Sequence, residues 1–145
     1  MPVPYKFVEN LSLADVAFRA SGNTIEEMFE SAALATTNVM VKDPGKIELK
    51  KRRKMTVSDK SLEKLLFNFL QEIIYLKDAE RLIFGKYSVR IKDRAGTYSL
   101  VCIALGEKLD MAKHELVVDV KAVTYHLFEV KKEGDKWKSQ VILDI

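Results

Sequence analysis

One stretch of sequence decides the fold, and it covers residues 87–102: Tyr87-Ser88-Val89-Arg90-Ile91-Lys92-Asp93-Arg94-Ala95-Gly96-Thr97-Tyr98-Ser99-Leu100-Val101-Cys102. Apolar and polar residues alternate on both sides of a central turn sequence, as they do in two strands joined into a hairpin. A second hairpin is predicted from residues 116–131 to residues 137–144, through a turn at residues 133–135. Neighbouring antiparallel strands therefore account for most of the second half of the chain.

Two amphipathic helices are predicted among the strands. Thr24 and Glu27 have the spacing of a capping box, and apolar residues recur at helical spacing from there to Met40. A second apolar stripe predicts a helix over residues 58–75. Further strands are expected at residues 4–8, 13–20 and 46–57. Strands before, between and after two helices predict an α+β fold, in which both helices pack on a largely antiparallel sheet within one domain spanning residues 1–145.

The composition is that of a globular protein with a mild excess of basic residues. The chain has 145 residues, of which 48% are hydrophobic, so it is long enough for one core and too short for two ordinary domains. Its net charge of +3 is too small to identify a nucleic-acid-binding protein. The first residues lack the pattern of a signal peptide, and no apolar run is long enough to span a bilayer. We therefore expect a cytoplasmic protein with no membrane partner.

The familiar catalytic motifs are absent from the sequence. It has no glycine-rich phosphate loop, no G-x-S-x-G, no H-E-x-x-H and no second cysteine for a zinc site. Cys102 alternates with Tyr98 and Leu100, which predicts a core thiol rather than a nucleophile. The same period of two favours a partly buried structural role for His126 over a catalytic one. The apolar face on which it is expected consists of Val118, Val120, Ala122 and Phe128.

Two aspartates lie within predicted strands, where aspartate is disfavoured. Asp15 shares a strand face with Arg19, and Asp144 lies near the end of the last strand. One interpretation is a solvated face or an ion pair. The other is a site for a divalent metal, because oxygens from Asp15, Asp144 and the terminal carboxylate of Ile145 are ligands that hard cations prefer. Calcium is our first choice, with magnesium and manganese as alternatives, and such a site requires the two aspartates to approach each other.

The densest basic run, residues 50–54, has a structural and a functional interpretation. Its alternation with apolar residues is irregular, as in an exposed edge strand whose charges discourage pairing with other chains. Alternatively, Lys50, Lys51 and Arg52 contact a phosphate backbone, with an affinity that weakens with salt. Lys121, on the charged face of another predicted strand, is a further candidate for contact with phosphate or with a carboxylate of a partner.

A set of segments distributed along the chain matches one protein family. They are Ala14-Asp15-Val16 with Arg19-Ala20, Glu26-Glu27-Met28-Phe29, Ala32-Ala33, the helix from Leu65-Leu66 to Tyr75, Gly106-Glu107-Lys108-Leu109-Asp110, Lys113-His114-Glu115, residues 121–126, and Leu143-Asp144-Ile145. Each segment is weak evidence by itself. Taken together, nearly from end to end, they resemble the archease family.

The resemblance implies an accessory protein and not an enzyme. Archeases assist the RtcB-type RNA ligase in tRNA splicing, so the implied activity is promotion of ligase guanylylation and of multiple turnover. The implied partner is that ligase, with at most weak or indirect contact to tRNA and no contact to DNA. The metal site of the family matches Asp15 and Asp144, with Ile145 as the following residue, which supports the cation interpretation.

The chain departs from the family at one motif. The family usually has His-Thr-Ala-Asp where this chain has Ser12-Leu13-Ala14-Asp15. The aspartate is kept, but the effect of replacing the histidine and the threonine stays open. Two other functions also stay open: an RNA-binding or chaperone-like module acting through residues 50–54, and a small metal-dependent hydrolase.

Overall fold

Seven strands and two α-helices form the part of the chain that the computed structural model describes, residues 4–9 and 15–145. The strands are β1 (Tyr5–Val8), β2 (Asp15–Gly22), β3 (Lys51–Asp59), β4 (Leu82–Arg94), β5 (Thr97–Lys108), β6 (Ala122–Glu133) and β7 (Lys136–Asp144). The helices are α1 (Ile25–Met40) and α2 (Leu62–Glu80). Within the described ranges, neither helix combines the length and the apolar character needed to cross a membrane.

Both helices begin at side chains that cap their first turn. Thr24 Oγ1 accepts a hydrogen bond from Glu27 N at 3.1 Å, as the predicted capping motif requires. Ser61 caps α2 in the same way. α2 extends beyond the predicted end at residue 75, because no glycine or proline interrupts it. It ends where Arg81 takes the left-handed conformation, with a φ of 55°.

The strands form two antiparallel sheets that the helices join. The four-stranded sheet has the order β1-β2-β7-β6, and the three-stranded sheet has the order β3-β5-β4. α1 packs on β2 and β4, while α2 packs on β3 and β6, so each helix contacts both sheets. The core between them contains the fully buried rings of Phe18, Phe29, Phe69 and Phe84. The predicted α+β class is confirmed, although the sequence did not indicate the division into two sheets.

Three strand boundaries differ from the predicted ones for local reasons. β3 begins at residue 51 rather than 46, because Pro44–Lys46 forms a 3-10 turn in which Gly45 N donates to Asp43 Oδ1 at 3.0 Å. β4 begins at residue 82, directly after α2, rather than at 87. β6 begins at residue 122 rather than 116, because Val117 N instead donates to Met40 O at 2.9 Å, at the end of α1. The predicted strand residues 13 and 14, with the Ser12-Leu13 departure, lie outside the described residues.

An interruption in β6 overturns the prediction for His126. The register between β6 and β7 is lost between Thr124 and Glu129, where residues 125–128 bulge out of the ladder. Leu127 in this bulge has a φ of 52°, which is strained for a residue other than glycine. The period of two therefore fails here, and His126 is exposed rather than partly buried.

We predict that the pairing of β4 with β5 requires a glycine at position 106. A Cβ added to Gly106 would lie 2.7 Å from Phe84 Cα and closer still to the backbone of Ile83, neither of which can move without disrupting the pairing. Gly106→Ala should therefore lower the free energy of unfolding by about 3 kcal/mol, measured by urea denaturation.

Gly96→Ala is the matched control for this substitution. Gly96 has a φ of 84°, but nothing lies within 4 Å of the added Cβ. Only the cost of placing alanine in a left-handed backbone conformation applies, so the free energy of unfolding should fall by about 1 kcal/mol. Equal losses for the two variants would contradict the steric explanation.

Candidate metal centre

Asp15 and Asp144 lie directly opposite each other in the antiparallel pair β2–β7. Directly opposite residues share one face of the sheet, with Cβ atoms about 4.5–5.5 Å apart. Asp15 is the first residue of β2 and Asp144 is the last of β7, so the pair lies at one end of the ladder. The predicted approach of the two aspartates is confirmed.

Buried neighbours of the aspartates fix this arrangement. On the opposite face of the same strands, Phe18 lies across from Val141. Val16 lies across from Leu143 in the same way. Phe18, Val141 and Leu143 are completely buried. Because a slip by one residue would turn these side chains out of the core, their burial also holds the aspartates in register.

The other two candidate residues, Lys121 and Ile145, lie next to the same strand ends. Lys121 N donates a hydrogen bond to Asp144 O at 2.8 Å, so the chain enters β6 beside the aspartates. The side chain of Lys121 is exposed. Ile145 directly follows Asp144, and its side chain packs, partly buried, against the core. The structure thus brings Asp15, Asp144, Ile145 and Lys121 to one end of the four-stranded sheet.

The side chains at this end supply part of the ligand set that a hard divalent cation needs. Two carboxylates supply oxygen ligands of the type that calcium, magnesium and manganese accept. Among the described residues, no group of three or more His, Cys, Asp or Glu side chains is placed to hold a metal. The remaining ligands would come from water or from the phosphate of a partner. The binding of a cation stays a prediction.

The bulge at residues 125–128 presents an aromatic and apolar surface near this site. The ring of Tyr125 stacks on that of Phe67 in α2, with centroids 3.9 Å apart and planes 3° apart. Tyr125 is nevertheless 58% exposed, and Leu127 is 48% exposed. The bulge lies between β7 positions 142 and 140, roughly 10 Å along the strand from Asp144. The sequence analysis missed this surface; its only signal is that Tyr125-His126-Leu127-Phe128 does not alternate.

The basic run at residues 50–54 belongs to the other sheet. β3 is an edge strand of the three-stranded sheet, as the sequence predicts. Two cations of the run are held by carboxylates: Lys50 by Glu48 at 2.8 Å and Arg53 by Glu80 at 2.6 Å. The structure does not place this run beside the aspartates. Its exposed basic side chains with no ion pair in the described part of the chain are Lys51, Arg52 and Lys54.

Cys102 is a core thiol, as predicted. Its side chain is completely buried in β5. Burial raises the pKa of the Cys102 thiol to about 12, so the thiolate is not populated at neutral pH. Without a thiolate or solvent access, Cys102 cannot serve as a nucleophile.

The second histidine, His114, belongs to a buried polar network that the sequence analysis did not predict. His114 Nδ1 accepts a hydrogen bond from Asp110 N at 2.9 Å, so its proton lies on Nε2, 2.9 Å from Glu107 Oε2. Glu107 also accepts from Lys113 Nζ at 2.9 Å and from Glu48 N at 2.8 Å. Burial raises the pKa of Glu107, but these donors outweigh it and lower the pKa to about 2. The network fastens the segment after β5 to the sheet.

Comparison with known proteins identifies the family. The model of the Archease protein family (MTH1598/TM1083) matches residues 5–145, nearly the whole chain. This chain belongs to the archease family. Protein archease of Methanosarcina acetivorans is 39% identical over 142 residues, which cover 97% of this chain and 95% of that protein. Protein archease of Pyrococcus furiosus is 43% identical over 133 residues, which cover 91% and 93%.

Solved structures have the same fold. The solution structure of protein 1598 from Methanobacterium thermoautotrophicum has a TM-score of 0.87 and 33% identity, covering 99% of this chain and 100% of that one. A crystal structure from Thermotoga maritima, described as an archease and possible chaperone, has a TM-score of 0.57 and 22% identity and covers 91% of each chain. The second likeness shows the fold alone. Two helices packed on antiparallel sheets are therefore the archease fold.

We predict that the stability of this archease falls on acidification through Glu107. Its folded pKa of about 2 lies below the ordinary value of 4.5, so ionised Glu107 stabilises the fold above that value. The contribution is lost as the pH falls toward the folded pKa. Glu107→Gln should lower the free energy of unfolding at neutral pH and flatten its decline between about pH 5 and about pH 2, measured by urea denaturation.

Glu115→Gln is the control for this pH dependence. Within the described residues, Glu115 forms an ion pair with Lys42 alone, and both side chains are 70% exposed, so this pair contributes little to stability. An unchanged acid dependence in Glu107→Gln, or an equal change in Glu115→Gln, would show that the Glu107 network is not the cause.

Proposed function

We propose that this archease activates an RtcB-type RNA ligase in tRNA splicing, by promoting ligase guanylylation and multiple turnover. It acts in the cytoplasm as an accessory protein and not as an enzyme. The observation that carries the proposal is the pairing of Asp15 with Asp144, which presents two carboxylates at one end of a sheet. Membership of the archease family supports the choice of partner.

The two aspartates are the residues that would hold the divalent metal of this function. Calcium remains our first choice, with magnesium and manganese as alternatives. When bound, such a cation neutralises phosphate charge during nucleotidyl transfer. The chain itself fixes two carboxylates in register. It also leaves coordination positions open, since no group of three or more His, Cys, Asp or Glu side chains is placed to hold a metal in the part of the chain that the structure describes. Phosphate oxygens of the partner complex can complete an open site of this kind.

The surface around the aspartates supports docking to the ligase. Lys121 is exposed beside Asp144, and in this proposal it would contact phosphate or a ligase carboxylate. Tyr125 and Leu127 add exposed apolar area on a bulge whose tyrosine is backed by Phe67. Tyrosine is enriched at binding hot spots, because a rigid ring buries a large area with little loss of conformational entropy. The metal end is thus bordered by residues suited to protein contact.

Two other functions are kept as alternatives. The Thermotoga maritima structure is described as a possible chaperone, and exposed Lys51 and Arg52 would support an RNA-binding or chaperone-like module acting through residues 50–54. Salt-sensitive RNA binding that depends on this run would favour that function. A small metal-dependent hydrolase would use the same aspartates. Turnover of a phosphoester by the protein without a ligase would favour it.

We predict that Asp15→Asn and Asp144→Asn each abolish stimulation of the ligase. Each substitution keeps the size of the side chain and removes one carboxylate, so the cation is lost while the buried face of β2 and β7 is unchanged. The measurement is multiple-turnover ligation of RNA by an RtcB-type ligase, with circular dichroism to verify the fold of each variant.

Asp135→Asn is the matched control for the aspartate variants. Asp135 is exposed in the turn at the far end of β7, so its loss should leave stimulation unchanged. Lys50→Ala combined with Lys51→Ala should reduce stimulation only mildly, through salt-dependent association. Full stimulation by both Asp15→Asn and Asp144→Asn would leave docking or RNA binding as the better account.

We also predict that the 125–128 bulge contributes affinity for the ligase. Tyr125→Ala should raise the archease concentration needed for half-maximal stimulation roughly tenfold, as expected for a tyrosine at a hot spot. Maximal stimulation should be kept, because the aspartates are intact. Tyr75→Ala is the control, since Tyr75 is 59% exposed on α2 and Tyr125 is 58% exposed. No shift, or equal shifts for the two variants, would show that the bulge is not the docking surface.

A further inference from the structure

The outer face of the four-stranded sheet is acidic at one end and basic at the other. We call outer the face that carries Asp15 and Asp144, opposite to the face buried in the core. Because side chains alternate along a strand, Arg19 shares this face with Asp15, roughly 13 Å further along β2. Gln140 lies opposite Arg19 and accepts a hydrogen bond from its Nε at 2.9 Å. The guanidinium is thereby held against the sheet.

Two pairs of like charges face each other across neighbouring strands on this outer face. Lys6 of β1 lies opposite Arg19 of β2, and Lys131 of β6 lies opposite Lys138 of β7. Like charges directly opposite each other destabilise an antiparallel pair. Two carboxylates relieve the second pair: Glu133 has oxygens 3.4 Å from Lys131 Nζ and 3.3 Å from Lys138 Nζ, and Glu129 has one 3.0 Å from Lys131 Nζ. A surface that repeats such pairs is suited to an anionic ligand.

These basic residues line a cavity of about 610 Å³ on the outer face. Its lining contains five basic side chains, Lys6, Arg19, Lys131, Lys136 and Lys138, against the two carboxylates of Glu129 and Glu133. The local excess of three positive charges equals the net charge of the whole chain, +3, so the rest of the sequence is balanced.

The cations are spread across the sheet rather than gathered at one point. Lys6, Arg19, Lys138 and Lys131 come from four successive strands, β1, β2, β7 and β6. Neighbouring strands are about 4.8 Å apart, so this track is roughly 14 Å wide. A free phosphate ion would contact only part of it. A chain of regularly spaced phosphates would engage cations along its whole width.

We propose that this cavity binds the phosphodiester backbone of an RNA strand, independently of its sequence. The identity of the polyanion rests on the proposed function, in which the partner enzyme acts on RNA. Lysine and arginine side chains provide such affinity by displacing the counterions of the phosphates. The acidic and basic ends then share one face of the sheet, with the backbone of the RNA at the basic end and the two aspartates at the other.

The test measures RNA binding by the isolated full chain, without ligase and with a chelator that removes divalent metals. A fluorescently labelled single-stranded RNA of mixed sequence is titrated at several salt concentrations. Lys6→Gln combined with Lys138→Gln removes one cation from each like-charge pair. This variant should bind at least tenfold more weakly at roughly 0.05 M salt, with a salt slope shallower by about 1.4. Its thermal stability should change little, because the repulsion within each like-charge pair is removed while Lys138 loses only an exposed ion pair with Glu133.

Lys51→Gln combined with Arg52→Gln is the matched control, since it removes the same charge from exposed positions on β3. This control should bind RNA like the unsubstituted chain. Equal losses for the two double variants, or no salt-dependent binding by the unsubstituted chain, would overturn the proposal. So would a cavity variant that binds RNA normally but loses affinity for the ligase, because the cavity would then receive an acidic surface of the ligase. Asp15→Asn should bind RNA normally, so the cation function can fail without this proposal failing.

Discussion

The antiparallel pairing of β2 with β7 is the interaction on which the rest of the structure depends. It joins β2, near the start of the chain, to β7, the last strand of the described residues. The pairing continues from Asp15 opposite Asp144 to Gly22 opposite Trp137. Burial of an aromatic or aliphatic side chain contributes about 1.5–3 kcal/mol, whereas a like-charge pair opposite on a sheet costs at most about 1 kcal/mol. The completely buried Phe18, Val141 and Leu143 therefore decide the register, which sets the two aspartates directly opposite each other.

The two faces of the β2–β7 pair differ in what they contact. The inner face packs under α1, while the outer face carries charge at both ends and buries Ala17 and Ile142 between them. The bulge in β6 contributes both to packing and to the exposed surface, because Tyr125 stacks on Phe67 yet stays largely exposed. A strained φ at Leu127 persists because the ladder on both sides of the bulge is intact. The exposed aromatic bulge and the candidate cation site thus lie on neighbouring strands of one sheet.

Much of the fold was predictable because its signals are local. The cap at Thr24, the apolar stripes of both helices and the turn at Gly96 each depend on residues close in sequence. The approach of Asp15 to Asp144 was predictable only through the pattern of charge at strand ends and the resemblance to a family. The division into two sheets was not predictable, because the alternation of residues along a strand does not show which strands pair.

The errors have equally specific causes. The period of two placed His126 in an apolar face, but a bulge changes the number of residues between ladder positions and so changes the face. His114 was overlooked because its partner Glu107 lies on a different element, and the sequence separation carries no periodic signal. The basic track on the outer face combines residues from four strands, so it exists only after the sheet has formed.

The central claim is that the two aspartates hold a divalent cation, and anomalous X-ray scattering from crystals grown with manganese tests it most directly. The account predicts one anomalous peak between the carboxylates of Asp15 and Asp144, about 2.0–2.6 Å from an oxygen of each. That peak should be absent from crystals of Asp144→Asn. A well-ordered crystal of the unsubstituted chain in millimolar manganese with no peak at this position, or with its only peak elsewhere, would contradict the account.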